Sequence, residues 1–370
     1  MLFYLPEDLL SNELSAEQKA KVLRAIEYIL RSVWESKHLV KIDYSLINRL
    51  LEEIQNDDCK SVLISIRNSF SILNYDCIKF YVKVVPENNI LCVSEFDEFN
   101  ILNLPINYLQ QSDITNKSII LCENISDADF FKYIAVYYIE KKAIGNVSLN
   151  FEPDHGGGGD INVVFEKYVK DRNRFCLAFC DNDIKYPNAE VGQTLKKLKE
   201  VDKRDNYLCD HIEIDAHEIE NLVPFNYIQE FNQRDIDVAG LHFVNNIFNS
   251  ERREDLKYID LKKGICTSRI YNNVDYKNFA ISLQPFCREI LDANIIDDLV
   301  RVYNETEKHL RIDKKIVPAV GKIVKSLFDK SELLTTKTPE FLGYQSNEWD
   351  RIGAKLFYWT CSRNHESINI

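Results

Sequence analysis

The chain has 370 residues, of which 45% are hydrophobic and 28% charged, and a formal net charge of −12. That balance is ordinary for a folded soluble protein, the length allows one large core or two to three smaller ones, and no apolar run approaches the roughly 20 residues of a membrane span. The acidic total argues against strong constitutive binding to nucleic acid, which draws on many Lys and Arg contacts to phosphate.

Residues 1–112 read as a mainly helical region. Met1–Leu10 is interrupted by Pro6-Glu7-Asp8 and makes a poor signal peptide, so a cytoplasmic protein is expected. Ser15-Ala-Glu-Gln18 has the form of a capping box, and Val22, Ile26, Ile29, Leu30 and Val33 follow at helical spacing. Leu46, Ile47, Leu50, Leu51 and Ile54 predict a second helix; Val62, Leu63, Ile66 and Phe70 predict a third. A helical bundle core is the expectation. Ile78, Phe80, Val82 and Val84 then alternate before Pro86-Glu-Asn-Asn89 and Ile90–Val93, the pattern of a hairpin.

Residues 113–226 change character. Four short apolar runs, Ser118–Cys122, Asn146–Asn150, Phe175–Cys180 and Cys209–Ile214, are separated by spacers with apolar residues at helical spacing, such as Phe130, Phe131, Ile134 and Tyr138. This predicts βαβ units on a parallel sheet, where function gathers at the carboxyl ends of the strands. Acidic residues follow three of the runs: Glu123, then Asp181-Asn182-Asp183, then His217-Glu218-Ile219-Glu220. The block Gly156–Gly159 is not a phosphate loop, because Asp160 and Ile161 stand where Lys and Ser or Thr are needed. It reads as a flexible loop or a plain surface linker. His155 and His217, beside strand ends, are weaker candidates for a proton carrier or metal ligand.

Residues 227–370 return to a mainly helical pattern. Lys262-Lys263-Gly264 reads as an exposed turn. Helices are expected around Phe286, Ile290 and Leu291, around Ile295, Leu299, Val302 and Tyr303, over Ile316–Leu327, and over Trp349–Trp359. The ten cysteines are scattered without a Cys-x-x-Cys pair, which argues against a disulfide framework and a zinc ribbon.

An apolar strand ending in Glu123, then a longer spacer and an apolar strand ending in Asp181-x-Asp183, resembles the TOPRIM domain, the metal-dependent module of topoisomerases, primases and a class of nucleases. Glu123 followed one helical turn later by Asp127 is similar to the OLD-type (overcoming lysogenisation defect) nucleases. His217-Glu-Ile-Glu-Asn-Leu-Val-Pro224 resembles the late acidic element of standalone TOPRIM effectors of bacterial anti-phage systems such as PARIS. The resemblance implies an α/β fold with a TOPRIM-like Rossmannoid parallel sheet, flanked by the two mainly helical regions. It further implies a metal-dependent nuclease, a hydrolase of phosphodiester bonds that serves as a toxic effector in antiviral defence. No ATPase sequence is present, so control by a separate ATPase or sensor protein is expected, with the helical flanks available for docking or a homodimer.

Carboxylates packed together repel unless a cation intervenes, and hard oxygen ligands suit Mg²⁺ or Mn²⁺. Glu123, Asp181 and Asp183 are the candidate catalytic residues. With Asp127, Glu218 and Glu220 they are also the candidate metal ligands, although Asp127 has an equal claim as a helix cap. Lys185, Lys196, Lys197 and Lys199 are candidates for contacting nucleic acid, against the plainer reading of a solvated helix face. Two other readings stay open. One is a phosphatase with Asp181 as nucleophile and Asp183 as acid. The other is a non-catalytic TOPRIM scaffold that binds a partner or viral protein, suggested by Asn124 and Ile184 where the family often carries glycine.

Overall fold

A computed structural model describes residues 1–70, 75–157, 160–203, 206–231, 236–270, 273–287, 315–330 and 332–363. It is a mixed α/β protein, and its larger sheets are dominated by parallel pairing. Its contacts divide it into two compact units. One comprises residues 1–179, 197–212 and 351–370; the other comprises residues 180–196 and 213–350.

The first unit opens with a strand. β1 (Leu2–Leu5), β2 (Leu39–Ile42), β3 (Phe80–Val85), β4 (Cys92–Phe96) and β5 (Phe99–Pro105) form a sheet in the order β2-β1-β3-β5-β4. The three expected helices are present as α1 (Ala16–Trp34), α2 (Tyr44–Glu53) and α3 (Asp57–Ser69). The Ser15–Gln18 capping box starts α1, with both reciprocal hydrogen bonds formed. They accompany a sheet rather than making a bundle by themselves. The expected hairpin is also displaced. β3 pairs in parallel with β5, and β4 turns back antiparallel on β5 through Asp97-Glu98. Asp97 takes up the positive φ of 51° that this tight turn demands.

The second sheet carries the predicted βαβ pattern. Its strands are β6 (Ser118–Cys122), β8 (Phe151–His155), β9 (Cys176–Cys180) and β10 (Cys209–Glu213), in the order β10-β9-β6-β8, and β7 (Val147–Leu149) lies outside it. β6 runs parallel to β8 and to β9. The Cys176 N–H donates to Leu208 O (3.1 Å) and the Ile214 N–H donates to Cys180 O (3.0 Å), so β10 runs the same way. The Asn146–Asn150 run is therefore corrected. Its core, β7, pairs antiparallel with the terminal strand Cys361–Arg363, and the fourth parallel strand is the polar segment Phe151–His155.

α4 (Ile125–Lys141), α5 (Ile161–Asp171) and α6 (Gln193–Asp202) link these strands. Every residue of β6 and β9 is buried, as expected of central parallel strands covered on both faces. Phe131 of α4 stacks on Phe179 of β9 with ring centroids 4.0 Å apart. Each such buried ring contributes roughly 1.5–3 kcal/mol through the apolar area it removes from water.

The second unit contains short helices and the two-stranded antiparallel pair Ile265–Cys266 with Lys315–Val317. The helix expected over Ile316–Leu327 is thus a strand followed by the helix Ile323–Asp329. The predicted helices through Ile290, Leu291, Ile295, Leu299, Val302 and Tyr303 lie outside the described residues. The last predicted helix is present within Gly343–Thr360. All ten cysteines are free thiols. Among the described residues no helix is long and apolar enough to cross a membrane.

Candidate metal centre

Sheet topology selects one edge. The chain enters at β6, moves to β8 on one side, and returns to β9 and β10 on the other. The strand order therefore reverses between β6 and β9, and open α/β sheets bind ligands outside the carboxyl ends at such a reversal. Glu123 directly follows β6 and Asp181 directly follows β9.

In the first unit, Glu123 is half-buried and precedes α4. Asp127 serves the start of that helix. Its Oδ2 accepts from the Asn124 N–H (3.1 Å) and from Asn124 Nδ2 (3.3 Å), which supports the capping role that its position allowed. His155 is exposed, and its Nδ1 accepts from the Gly157 N–H at 3.2 Å. Gly156 fits closely: a Cβ there would lie 2.3 Å from Ile161 Cα. Gly158 and Gly159 are outside the described residues.

Asp181 and Asp183 belong to the second unit, in a loop with defined geometry. Asn182 is buried, and its Oδ1 accepts from the Ile184 N–H (3.0 Å), an Asx turn that sets the next residue. Asp183 is exposed and left-handed, with φ 55°. Its N–H donates to His217 O (3.0 Å), and the Gly192 N–H donates to Asn182 O (2.7 Å). A Cβ on Gly192 would meet Asp183 Oδ2 at 2.3 Å, so only glycine leaves that carboxylate where it is. Lys185 and Lys197 are exposed, Lys199 is half-buried, and Lys196 is ion-paired with Glu190. The Lys196 ammonium is thus engaged by the protein's own carboxylate.

His217, Glu218 and Glu220 are all buried. The His217 N–H donates to Lys257 O at 2.7 Å. Its Nδ1 donates to Ile184 O (3.1 Å), which leaves Nε2 3.9 Å from Asp260 Oδ2. Asp260 accepts from protein donors on both oxygens: the Lys263 N–H at 2.7 Å and Arg269 at 2.6 Å. Burial opposes its ionisation, yet His217, Arg269 and the Lys263 N–H hold its carboxyl at about 2. Although His217, Glu218 and Asp260 are near enough to share an ion, Asp260 is already committed on both oxygens.

Lys262 is the centre of the remaining charge. Its ammonium lies 2.7 Å from Glu220 Oε2 and 3.6 Å from Glu218 Oε2, while its N–H donates to Glu218 Oε1 at 2.9 Å. The contact with Glu220 is a close ion pair between a half-buried ammonium and a buried carboxylate. Burial opposes the charge on Lys262, but Glu220, Glu218 and Asp181 together raise its pKa, so it stays an ammonium. One cation does not neutralise this set. Burial and then the charge of Glu218 push Glu220 up to about 7, and burial also pushes Glu218 up.

In the second unit Glu218 and Glu220 therefore meet Lys262, whose charge Asp181 also favours, while Asp183 stands exposed on its loop; of these four carboxylates, Glu218 alone belongs to a described group close enough to share an ion. The turn expected at Lys262-Lys263-Gly264 is present and Lys263 is exposed, but Lys262 is half-buried and reaches the acidic pair. Sequence reasoning missed Lys262, Asp260 and Arg269. The available signal was the pair Glu218 and Glu220 in an apolar context, which demands a nearby cation. A separate group, Asp202, Asp210 and His211, lies in the first unit. There His211 Nδ1 is 2.9 Å from Asp202, and Lys355 pairs with Asp210 at 2.6 Å. No protein family, curated protein or solved structure matches the chain.

Proposed function

We propose that this chain is a divalent-metal-dependent nuclease with a TOPRIM-like parallel sheet, hydrolysing phosphodiester bonds in DNA or RNA. The observation that carries the reading is the sheet reversal between β6 and β9, with Glu123 and Asp181 directly following those strands. Carboxylate oxygens of this kind suit Mg²⁺ or Mn²⁺, and the raised carboxyl of Glu220 marks an excess of negative charge that Lys262 alone does not offset. Asp181, Asp183 and Glu220 would hold the metal, which when bound polarises the phosphate and activates water. The resemblance assigns Glu123 to the same chemistry, as ligand or general base. Lys262 stays charged and supplies fixed positive charge for the developing phosphorane oxygens. Glu218, fixed by the Lys262 N–H, orients that lysine. A toxic role in antiviral defence, restrained by a separate ATPase or sensor, follows from the resemblance.

The test is cleavage of plasmid DNA and structured RNA by the parent and by Glu123→Gln, with Mg²⁺, Mn²⁺ or chelator. A loss of about a hundredfold or more is expected if Glu123 is the base. Equal cutting by the two proteins refutes the assignment. A second reading, a non-catalytic scaffold, draws on the engagement of both Asp260 oxygens by Arg269 and the Lys263 N–H. It predicts no Mn²⁺ binding that Asp181→Ala plus Asp183→Ala would remove.

A further inference from the structure

The outward face of the five-stranded sheet carries aromatic rings on neighbouring strands. β3 buries Val82 and Val84 and presents Tyr81; β5 buries Leu102 and Leu104 and presents Phe99. Tyr4 of β1 stands 6.2 Å from Tyr81, and Tyr81 stands 6.2 Å from Phe99, each pair edge to face. With Phe96 of β4 they wall a cleft of about 310 Å³ that also takes in Lys41 and Asp76. Phe96 is 67% exposed, a large ring held in water beside the opening. The cleft is at the small end of ligand sites, which begin at roughly 300 Å³.

Charge narrows the occupant. Lys41 Nζ lies 5.8 Å from the Tyr4 ring centroid and Lys79 Nζ 4.5 Å from that of Phe99. These ammonium groups already take the positions a cationic ligand would seek over the rings. Glu98 already pairs with Lys79 and Asp76 disfavours an anion on its own side, so what fits is a flat, neutral π system with an anionic tail directed to Lys41. Nucleobases offer that combination, and aromatic residues on open sheet faces stack them. We infer that this cleft binds an unstacked nucleobase of single-stranded nucleic acid, the ring against Tyr81 and Phe99 and its phosphate beside Lys41. The inference rests on the nucleic-acid reading above and adds a binding site remote in sequence from the acidic cluster.

The experiment uses the full chain in chelator, so that binding is read without cleavage. Fluorescence anisotropy compares short labelled oligoadenylates of RNA and of DNA with an abasic strand of equal length. Binding of either base-bearing strand, at least tenfold tighter than the abasic strand, supports the inference; the preferred sugar identifies the source of the base. Phe96→Ala and Tyr81→Leu should each weaken binding, by roughly five- to a hundredfold for loss of a stacked base, with an unchanged melting temperature for the exposed Phe96→Ala. Because one lysine faces the phosphate, the salt dependence should be shallow, with a slope near −0.7 for about one contact. Equal binding of the abasic strand, unaltered binding by both variants, or no binding by the parent overturns the site. Mn²⁺-dependent cleavage, measured in parallel, reports on the nuclease reading separately: binding without cleavage leaves the cleft standing and removes the enzyme.

Discussion

Replacing Glu220 by glutamine tests the electrostatics of the acidic cluster directly. Burial and Glu218 raise the Glu220 carboxyl from 4.5 to about 7. A raised acid binds more protons in the folded than in the unfolded chain between those values, so folding stability falls as pH rises through that window. With one unit worth about 1.4 kcal/mol, the full penalty is about 3 kcal/mol above pH 7, and about 2–3 kcal/mol of it develops between pH 5 and pH 8. Glu220→Gln keeps the shape and removes the ionisation. Urea unfolding should show the variant gaining stability relative to the parent at pH 8 and showing little difference near pH 5. Mn²⁺ should stabilise the parent more at pH 8 than at pH 6, because protons compete for the ligand, and should stabilise the variant far less at either pH. The reasoning fails if Glu220→Gln shifts stability equally at both pH values. It fails in the opposite sense if the variant is less stable at pH 8, for then the ion pair with Lys262 outweighs the burial of the charge.

Three other substitutions probe the neighbourhood. Lys262→Met leaves Glu218, Glu220 and Asp181 without their shared cation; a destabilisation of about 3–5 kcal/mol is expected at pH 8, with partial rescue by Mn²⁺ in a thermal melt. Gly192→Ala drives a methyl group against Asp183 Oδ2, and calorimetry should show Mn²⁺ affinity reduced by about 10- to 100-fold, whereas unchanged affinity removes Asp183 from the ligand set. Gly353→Ala, on the C-terminal helix, would place a Cβ 2.5 Å from Tyr138 Cβ; about 1–3 kcal/mol of stability should be lost in urea, while metal affinity stays at the parent value.

The parallel strands were legible where they are buried on both faces. Ser118–Cys122 and Phe175–Cys180 are continuous apolar runs, because central parallel strands have no solvent face to alternate against. Phe151–His155 carries no such signal: it is polar and partly exposed, contains Pro153, and is a strand only because β6 supplies its partner. The N-terminal sheet was hidden for a different reason. β1 and β2 have four residues each, too few for a period to show, and the strong helical stripes between them dominate the reading. β4 was misjoined to β3 because adjacency in sequence favours a hairpin, while the structure places β5 between them. At the acidic cluster, Asp181, Asp183, Glu218 and Glu220 stood out by position after apolar runs. Lys262 did not, since it is separated from Glu220 by a long stretch of chain and sits among ordinary turn residues; only tertiary structure shows that it is their counter-ion.

The first unit is closed by some of the last described residues. Trp359 stacks on Phe80 at 5.3 Å and meets Phe175 edge-on at 6.4 Å, its carbonyl accepts from the buried Ser118 Oγ at 2.6 Å, and Cys361–Arg363 pairs with β7. A nascent chain emerging from the ribosome therefore cannot complete this core until residue 363 is free of the exit tunnel. Contacts of such long sequence separation slow folding, because the loop must close before they form. A polypeptide without residues 351–363 would leave Phe80 and Phe175 without the Trp359 ring, Ser118 Oγ without its acceptor and β7 without its partner strand.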